Sequence, residues 1–245
     1  MDYDALLDHL GRAPATSYRY PHRDVDLDCT VHASMRREER ALWEEALDRA
    51  LGGSRVRASG VALDAGCGTG EMLLGLAGRF EHVVGIEPDP RRSAQARERS
   101  PQTPVFTLGL GDPVLGESKL AGSFRFAHCL QVLGHVPCQA AGGLLSSLAG
   151  LVEPGGAVVL ALPYTNGFED LFRSSDLATL VGQPMERKAF DEAATLPQSG
   201  LLPVRHFSML SIEPLLARAG LKPVWYAPYG WFDEQTANLI VLAVR

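Results

Sequence analysis

From residue 61 onward, short apolar runs alternate with longer segments whose pattern of apolar and polar positions suits helices. This alternation predicts strands joined by helical crossovers, which form a parallel sheet covered on both faces. The pair Asp89-Pro90 supplies an N-cap and a first-turn proline for one of the helices. The apolar runs occupy residues 61–63, 83–86, 105–108, 124–130 and 157–162.

The end of the chain breaks this alternation. Ser211 is the expected N-cap of the helical stretch IEPLLARAG, which ends at Gly220. Two further apolar stretches, LKPVWYAPY and NLIVLAVR, follow with about eight residues between them. Because that gap is too short for a helical crossover, the two stretches should pair as an antiparallel hairpin. We therefore expect an α/β sheet that is mostly parallel, with an antiparallel strand at or near one edge.

Two helical patterns precede the alternating region. Leu6, Leu7 and Leu10 lie on one side of the first pattern, over residues 2–10. Ser34 is the expected N-cap of the second, whose apolar stripe continues until the pair Gly52-Gly53. The sequence thus predicts a helical N-terminal cap over residues 1–55 and one core domain over residues 56–245.

Residues 163–208 form an insertion between the fifth apolar run and the last helix. The stretch EDLFRSSDLATLVG within it has the spacing of an amphipathic helix. Long insertions at the ligand-binding end of a sheet are commonly functional. We expect this insertion, together with the N-terminal cap, to cover a substrate site.

The stretch VALDAGCGTGEMLLGLAG joins an apolar run to a series of helix formers through Gly66, Gly68 and Gly70. A glycine-rich turn between a strand and a helix forms a ligand site at the carboxyl end of a parallel sheet. Glycine allows positive φ and a close approach of the backbone to the ligand. A tight turn without any ligand is the alternative for a fragment of this kind.

The residue after these glycines bears on the kind of ligand. Dinucleotide binding requires a glycine at position 71, which is Glu71 in this chain, and a carboxylate at a helix start repels phosphate. A nucleoside with an amino-acid tail fits this turn better. Glu87 follows the second apolar run about twenty residues later, where an acid can bind a ribose diol. A solvated acid at a strand end is the alternative for Glu87 alone.

Composition narrows the choice of partners. The net charge is −6 and no block of Lys or Arg occurs, so a nucleic-acid partner is less expected than a neutral or cationic small molecule. No run of eighteen apolar residues and no signal-peptide pattern is present, which favours a cytoplasmic protein without a membrane segment. The four cysteines read as reduced thiols. His135 and Cys138 have HxxC spacing, but two ligands do not make a zinc site, and we expect no metal.

At four stretches the chain resembles the class I S-adenosylmethionine-dependent methyltransferases. LDAGCGTG is close to the first motif of that family, FAHCLQVLGHVP to the segment after its fourth strand, and LVEPGGAVVLALP to its fifth strand. FSMLSIEPLLARAGLKPVWY is similar to its last helix and sixth strand. The resemblance covers about residues 56–162 and 205–245. It implies a Rossmann-like seven-stranded sheet with an antiparallel last strand, S-adenosylmethionine as cofactor and S-adenosylhomocysteine as product.

The resemblance also implies roles for individual residues. Asp64 would orient the methionyl ammonium, Glu87 would bind the ribose hydroxyls, and Asp112 would bind the adenine amino group. Leu110 is an alternative register for the adenine position, because Pro113 has no N–H to offer. Arg125 departs from the family, which often has Asp there. The implied cofactor-binding positions are Asp64, Ala65, Gly66, Cys67, Gly68, Gly70, Glu87, Pro88, Asp112, Cys129, Leu130 and Gln131.

Methyl transfer to a hydroxyl needs a base, for which histidines are the first candidates. His206 lies in the insertion just before the last helix and ranks first. His135 follows the fourth strand and ranks second, because it matches a frequent family histidine that often has no chemical role. A structural role is the alternative for each.

Two further patterns bear on the acceptor. Asp24, Asp26 and Asp28 would share one face of an extended segment and could select a cationic acceptor, although a solvated acidic face explains them as well. A set of aromatic residues could form the wall of an aromatic or polyketide-like pocket, or simply pack in the core. These are Tyr18, Tyr20, Tyr164, Phe168, Phe172, Trp225 and Trp231.

The sequence therefore predicts methyl transfer from S-adenosylmethionine to an oxygen or nitrogen of a small molecule, in bacterial secondary metabolism. Two alternatives stay open: a tRNA or protein methyltransferase, and a protein that binds the cofactor without methylating. An NAD-dependent oxidoreductase is disfavoured by Glu71 and by the terminal hairpin. The sequence does not determine the acceptor, the atom methylated or the oligomeric state.

Overall fold

The computed structural model describes residues 2–14, 16, 18, 30–54, 56–176, 181–195 and 201–245. The helices are α1 (Tyr3–Leu10), α2 (Thr30–Ala50), α3 (Leu73–Ala77), α4 (Pro90–Arg99), α5 (Cys138–Leu151), α6 (Arg187–Thr195) and α7 (Met209–Arg218). The strands are β1 (Ala58–Ala65), β2 (Phe80–Ile86), β3 (Val105–Phe106), β4 (Phe124–Leu130), β5 (Val152–Thr165), β6 (Leu171–Asp176), β7 (Gly182–Pro184), β8 (Leu201–His206), β9 (Lys222–Tyr229) and β10 (Thr236–Val244). None of the helices in the described ranges is long and apolar enough to cross a membrane.

A seven-stranded sheet in the order β3-β2-β1-β4-β5-β10-β9 forms the centre of the molecule. The pairs from β3 to β5 are parallel. The last strand, β10, is antiparallel to both β5 and β9, as the short gap between the final apolar stretches predicted. The expected Rossmann-like sheet with an antiparallel last strand is confirmed.

Helices cover both faces of this sheet. One face buries Trp43 and Leu47 of α2 together with Leu73 of α3. The opposite face buries Leu6 of α1 and Leu145 of α5, beside residues of α7. The two helices of the N-terminal segment therefore pack on opposite faces, because each carries one apolar stripe that must be buried.

The insertion forms a second, smaller antiparallel sheet in the order β7-β6-β8. The prediction of an amphipathic helix in EDLFRSSDLATLVG is wrong for residues 171–176, which form β6. Residues 177–180 lie outside the described residues. Every residue of β6 pairs with β8, from Leu171 opposite His206 to Asp176 opposite Leu201. Ladder hydrogen bonds to a distant segment thus override the local helical spacing.

Two helices begin at residues other than those predicted from the sequence. Ser34 lies inside α2, which begins at Thr30, so its predicted capping role is wrong. Ser208, not Ser211, is the N-cap residue of α7. The reason is Asp170 from the insertion, whose carboxylate accepts hydrogen bonds from the Ser208 amide and the Ser211 hydroxyl. A cap supplied from a distant residue leaves no local signal in the sequence.

The insertion is attached to the central sheet at both of its ends. Tyr164 and Phe207 form a parallel bridge, with Thr165 N–H donating to Phe207 O at 3.0 Å. Phe207 N–H donates to Pro163 O at 2.9 Å. An ion pair between Arg205 and Asp170 at 2.6 Å closes the same junction. These contacts hold the small sheet over the carboxyl ends of the large one.

Candidate active site

A cavity of about 610 Å³ lies at the carboxyl ends of β1, β2 and β4. Its floor is the glycine turn after β1 together with the residues that follow β2 and β4. The first turns of α2, the small sheet and the β9–β10 hairpin form its walls. This is the end at which parallel α/β sheets bind ligands, and the volume is typical of a small-molecule site.

The glycine turn adopts a backbone that other residues would not tolerate. Gly66, Gly68 and Gly70 have φ values of +81°, +57° and +84°. A Cβ on Gly66 would lie 2.6 Å from Cγ2 of Val132, and one on Gly70 would lie 3.0 Å from Cα of Ala96. Bare backbone at Gly66 and Gly68 therefore faces the cavity, whereas Gly70 packs against α4 behind it.

Glu87 lies directly after β2 and is 2% exposed. Its Oε2 accepts the Gly68 N–H and its Oε1 accepts the Asp89 N–H, both at 3.0 Å. Burial raises the pKa of Glu87, while Arg92 and these two hydrogen bonds act in the opposite direction. Since a carboxylate can accept about four hydrogen bonds, Glu87 keeps acceptor capacity toward the cavity.

Asp64, near the end of β1, is 3% exposed and lines the same cavity. Its Oδ1 lies 2.7 Å from Nε2 of His128, in a contact too bent to be a regular hydrogen bond. Its Oδ2 is buried with no partner among the described residues. A buried carboxylate oxygen without a donor is unfavourable, so this atom is suited to a ligand that brings an ammonium group.

His135 also lines the cavity, from the short 3₁₀ turn Leu133–His135. Its Nδ1 is 3.0 Å from the carbonyl oxygen of Pro203 in β8. Because a carbonyl only accepts, Nδ1 carries the proton and the lone pair is on Nε2. Burial lowers the pKa of His135, against the effect of the Pro203 hydrogen bond, so the ring is neutral near pH 7.

His206 reaches the cavity from the last position of β8 and is 4% exposed. Burial and the nearby Arg173 lower the pKa of His206 to about 4, against a hydrogen bond with the backbone of Tyr164. Phe232 stands edge-on to the ring at 6.3 Å. Both histidines named from the sequence therefore face one cavity, but His206 is the weaker base.

A network of four polar side chains forms another part of the wall. Gln131, with a φ of +55°, places its Nε2 2.9 Å from both Glu39 Oε2 and Tyr229 OH, and 3.2 Å from Asn238 Oδ1. The Tyr229 hydroxyl also donates to Glu39. A non-glycine residue with positive φ is strained, and such strain clusters at functional sites. Gln131 was expected here, but its three partners carry no local signal in the sequence.

The remaining cofactor positions divide into two groups. Cys67, Pro88 and Leu130 line the cavity. Ala65 and Cys129 are fully buried behind its floor, where burial raises the pKa of the Cys129 thiol.

Asp112 is not among the described residues that line the cavity. Its carboxylate accepts the Val114 N–H at 3.0 Å and caps the turn Pro113–Gly116. The alternative position, Leu110, is buried in the core. The adenine contact expected from Asp112 thus stays a prediction that its position does not favour.

The aromatic wall is made by different residues from those expected. Tyr18 lines the cavity, but Tyr164 packs edge-on against Trp231, and Phe172 packs at a tilt against Phe190. Tyr229 and Phe232 line the cavity instead. Of the other expected aromatic residues, Phe168 is 86% exposed, Trp225 lies beneath Arg49, and Tyr20 is outside the described residues, as are Asp24, Asp26 and Asp28.

Glu71 stands at the mouth of the cavity with its charge balanced. Arg36 of α2 lies 2.5 Å from its carboxylate and Arg99 of α4 lies 3.7 Å away. The repulsion of phosphate expected from Glu71 is therefore weaker than the sequence alone indicates. Within the described ranges, no group of three or more His, Cys, Asp or Glu side chains is placed to hold a metal ion.

The family of the chain follows from its match to a known protein family. The family model described as a methyltransferase domain matches residues 35–225, which is most of the chain. The chain belongs to the class I S-adenosylmethionine-dependent methyltransferases. The family resemblance, the enzyme class and the cofactor expected from the sequence are thereby confirmed.

This methyltransferase is similar to several characterised proteins. It is 31% identical over 166 residues to the ubiquinone biosynthesis O-methyltransferase of Dechloromonas aromatica (strain RCB), a match that covers 67% of this chain and 66%, just under two thirds, of that relative. A solved structure of magnesium protoporphyrin IX methyltransferase from Synechocystis PCC 6803 with bound S-adenosylmethionine aligns with a TM-score of 0.58 and 16% identity, over 91% of this chain and 86% of the other.

A third similar protein is the 1,6-didemethyltoxoflavin-N1-methyltransferase of Burkholderia thailandensis. Its structure aligns with a TM-score of 0.54 and 17% identity, over 95% of this chain and 93% of the other. At these identities the two structural likenesses establish the shared fold of the methyltransferase.

Proposed function

We propose that this methyltransferase transfers the methyl group of S-adenosylmethionine to an oxygen or nitrogen of a small molecule in bacterial secondary metabolism. The observation that carries the proposal is a single cavity that joins two sets of residues. Glu87, Asp64 and the glycine turn suit a nucleoside with an amino-acid tail. His135 and His206 face the remaining space as neutral bases.

The residues on the floor fit the cofactor. Asp64 Oδ2 would hold the methionyl ammonium, Glu87 the ribose hydroxyls, and the backbone at Gly66 and Gly68 would lie against the ligand. Pro88 would be an apolar neighbour of the adenine ring. When bound, S-adenosylmethionine supplies an electrophilic methyl group on a sulfonium. The chain orients the cofactor and the acceptor, which contributes much of the rate in an in-line displacement.

We assign the base to His135 rather than to His206. The Pro203 carbonyl fixes the His135 proton on Nδ1, so Nε2 is the atom that can remove a proton from an acceptor hydroxyl. His206 has a pKa of about 4 and lies beside the Arg173 cation, so it holds a proton poorly at neutral pH. Its better role is to shape the cavity wall beside Phe232.

A small acceptor agrees with the enclosure of the site. The described strands of the insertion and α2 act as a cap, and β8, β6 and α2 all contribute wall residues. Two arginines that line the cavity are paired with acids, Arg36 with Glu71 and Arg173 with Asp233, which reduces the positive charge that they present to nucleic-acid phosphates. The relative named for ubiquinone biosynthesis and the neighbour named for a didemethyltoxoflavin support an acceptor of this class.

The test has two stages. Calorimetric titration with S-adenosylhomocysteine should show saturable binding to the wild-type chain and loss of binding in Glu87→Ala. Incubation with methyl-labelled S-adenosylmethionine and panels of phenols, amines and bacterial metabolite extracts should then label a small product. Label appearing in tRNA or protein fractions alone would favour the alternative acceptors. Cofactor binding without any labelled product across all three fractions would favour the non-methylating alternative.

A further inference from the structure

Three buried polar side chains form a line that ends at the cavity. Trp43 of α2, His128 of β4 and Asp64 of β1 are 2%, 0% and 3% exposed. Trp43 Nε1 lies 2.8 Å from His128 Nδ1, and His128 Nε2 lies 2.7 Å from Asp64 Oδ1. The line crosses from a helix through one strand to the next, since Asp64 and His128 are partners in the parallel ladder.

The indole at one end of this line determines the state of the imidazole. An indole N–H can only donate, so His128 Nδ1 must accept and cannot carry a proton. The proton is then on Nε2, the ring nitrogen that lies 2.7 Å from Asp64 Oδ1 in the bent contact described above. Phe126 packs edge-on against the ring at 6.1 Å and helps to keep its orientation. Metal-binding histidines are oriented by a second partner in the same way.

The carboxylate at the other end of the line has two unequal oxygens. Oδ1 is next to the His128 donor, while Oδ2 is buried, unpartnered within the described residues, and belongs to a side chain that lines the cavity. Without His128, the Asp64 carboxylate could rotate, and neither of its oxygens would have a fixed orientation. With His128 beside Oδ1, Oδ2 is the carboxylate oxygen left without a donor among the described residues.

We propose that His128, held by Trp43, is a positioning residue for the amino-acid end of the nucleoside ligand. It would hold the Asp64 carboxylate so that Oδ2 receives the ligand ammonium. This inference rests on the proposed function and adds two residues, Trp43 and His128, that the first motif does not contain. The position of α2 on the sheet would therefore affect the ligand site, because Trp43 belongs to α2.

A purely structural histidine would behave differently from a positioning one. Loss of a structural residue weakens every ligand of the cavity or the fold itself. Loss of a positioning residue weakens only ligands that carry the ammonium group. 5′-Methylthioadenosine has the nucleoside and the sulfur of S-adenosylhomocysteine but lacks the amino-acid tail, so the two ligands separate these cases.

The experiment measures the Kd of both ligands by calorimetry for the wild type and for His128→Leu, His128→Gln and Trp43→Phe. Asp64→Asn defines the effect of removing the carboxylate charge. In His128→Leu we expect S-adenosylhomocysteine to bind about tenfold more weakly, while 5′-methylthioadenosine changes less than about twofold. His128→Gln should recover part of the loss, because its amide can accept from the indole and donate to Asp64. Trp43→Phe should give an intermediate loss.

Three results would overturn the proposal. One is an equal weakening of both ligands in His128→Leu and in Trp43→Phe, and another is unchanged S-adenosylhomocysteine binding in both variants. The third is equal binding of the two ligands by the wild type, since the tail would then not be recognised. If His128→Leu does not fold, Trp43→Phe carries the same comparison. A wild-type chain that binds neither ligand would instead refute the proposed function itself.

Discussion

The backbone N–H of Gly68 donates to the Glu87 carboxylate at 3.0 Å. This hydrogen bond joins the glycine turn after β1 to the end of β2, so the two halves of the nucleoside site are fixed relative to each other before any ligand arrives. Glu87 completes the arrangement by accepting the Asp89 N–H on its other oxygen. The Glu87 carboxylate thus fixes the shape of the site and is also the group proposed to bind the ribose hydroxyls.

Replacing Glu87 with Gln should disturb both roles. An amide has one acceptor oxygen, so its NH₂ group must face either the Gly68 or the Asp89 donor, and one buried backbone N–H is left without a partner. We expect a loss of about 1–3 kcal/mol in the free energy of unfolding, measured by urea denaturation. S-adenosylhomocysteine binding should weaken in parallel. The exposed Glu98→Gln on α4 is the control and should leave both measurements unchanged.

The backbone of the glycine turn can be tested at Gly66. In Gly66→Ala the new Cβ meets Val132 Cγ2 at 2.6 Å in a residue whose φ is +81°. The clash and the left-handed strain together should cost about 2–4 kcal/mol of folding stability. Adding Val132→Ala should recover the part due to the clash and leave the part due to φ.

Gly143 offers a matched control for this substitution. It lies in the middle of α5, is exposed, and would have no atom within 4 Å of an added Cβ. Gly143→Ala should therefore stabilise the protein by about 0.5–1 kcal/mol. A Gly66→Ala variant as stable as the wild type would contradict the described turn.

His206 should make stability depend on pH. Its pKa is about 4 in the folded chain and about 6.5 in an unfolded one, so the unfolded state binds more protons between these values. The contribution of His206 is therefore complete above about pH 6.5 and is lost as the pH falls toward 4. The full difference amounts to about 3 kcal/mol. Urea denaturation at pH 7.5, 5.5 and 4.5 measures it.

The control for this prediction is His206→Gln, which keeps a polar side chain of similar reach but does not titrate. Other groups titrate in both proteins, so the informative quantity is the difference between the two stability curves. The wild type should lose more stability than the variant on acidification. Parallel curves would show that His206 does not have a lowered pKa.

Asp170 lies in a connecting segment, but we expect it to contribute strongly to the stability of the fold. It pairs with Arg205 at 2.6 Å and accepts the Ser208 N–H at 2.8 Å, and both side chains of the pair are nearly buried. Burial raises its pKa, but the hydrogen bonds from Ser211 and Ser208 and the Arg205 cation outweigh this and hold it below the usual range.

Asp170→Ala should therefore reduce the free energy of unfolding by about 3–5 kcal/mol, because it leaves a buried guanidinium unpaired and uncaps α7. Thermal and urea unfolding measure the effect. The exposed pair of Glu192 with Lys188 gives a control, since Glu192→Gln should have no measurable effect. Equal behaviour of the two variants would refute the structural role of Asp170.

The parts of the fold that could be predicted are those that local pattern determines. The β–α alternation predicted the parallel strands, and the short gap before residue 236 predicted the antiparallel β10. Asp89 caps α4 as expected, since its carboxylate accepts the N–H groups of Arg91 and Arg92 two and three residues later. The glycine turn was predictable for the same reason, because positive φ selects glycine wherever the fold requires it.

The parts that could not be predicted depend on residues far apart in the chain. Trp43 and His128 are separated by 85 positions and Gln131 and Asn238 by 107, so no spacing rule links them. Strand β6 has helical spacing in its sequence, but its pairing with β8 determines its structure. Of the aromatic residues considered for the wall, Tyr18 lines the cavity, whereas Tyr164 and Phe172 pack against other rings. The sequence could not separate these cases, because an aromatic side chain buries equally well in a core as in a pocket.

The insertion begins at the end of β5 and finishes beside the same strand, where Thr165 and Phe207 are hydrogen-bonded neighbours. Its two attachment points therefore lie side by side. Substitutions in the intervening segment would change the roof of the cavity and, at Pro203, the contact that orients His135. The glycine turn and Glu87 lie outside this segment. We predict that exchanging that segment between homologues changes acceptor preference and leaves S-adenosylhomocysteine binding unchanged.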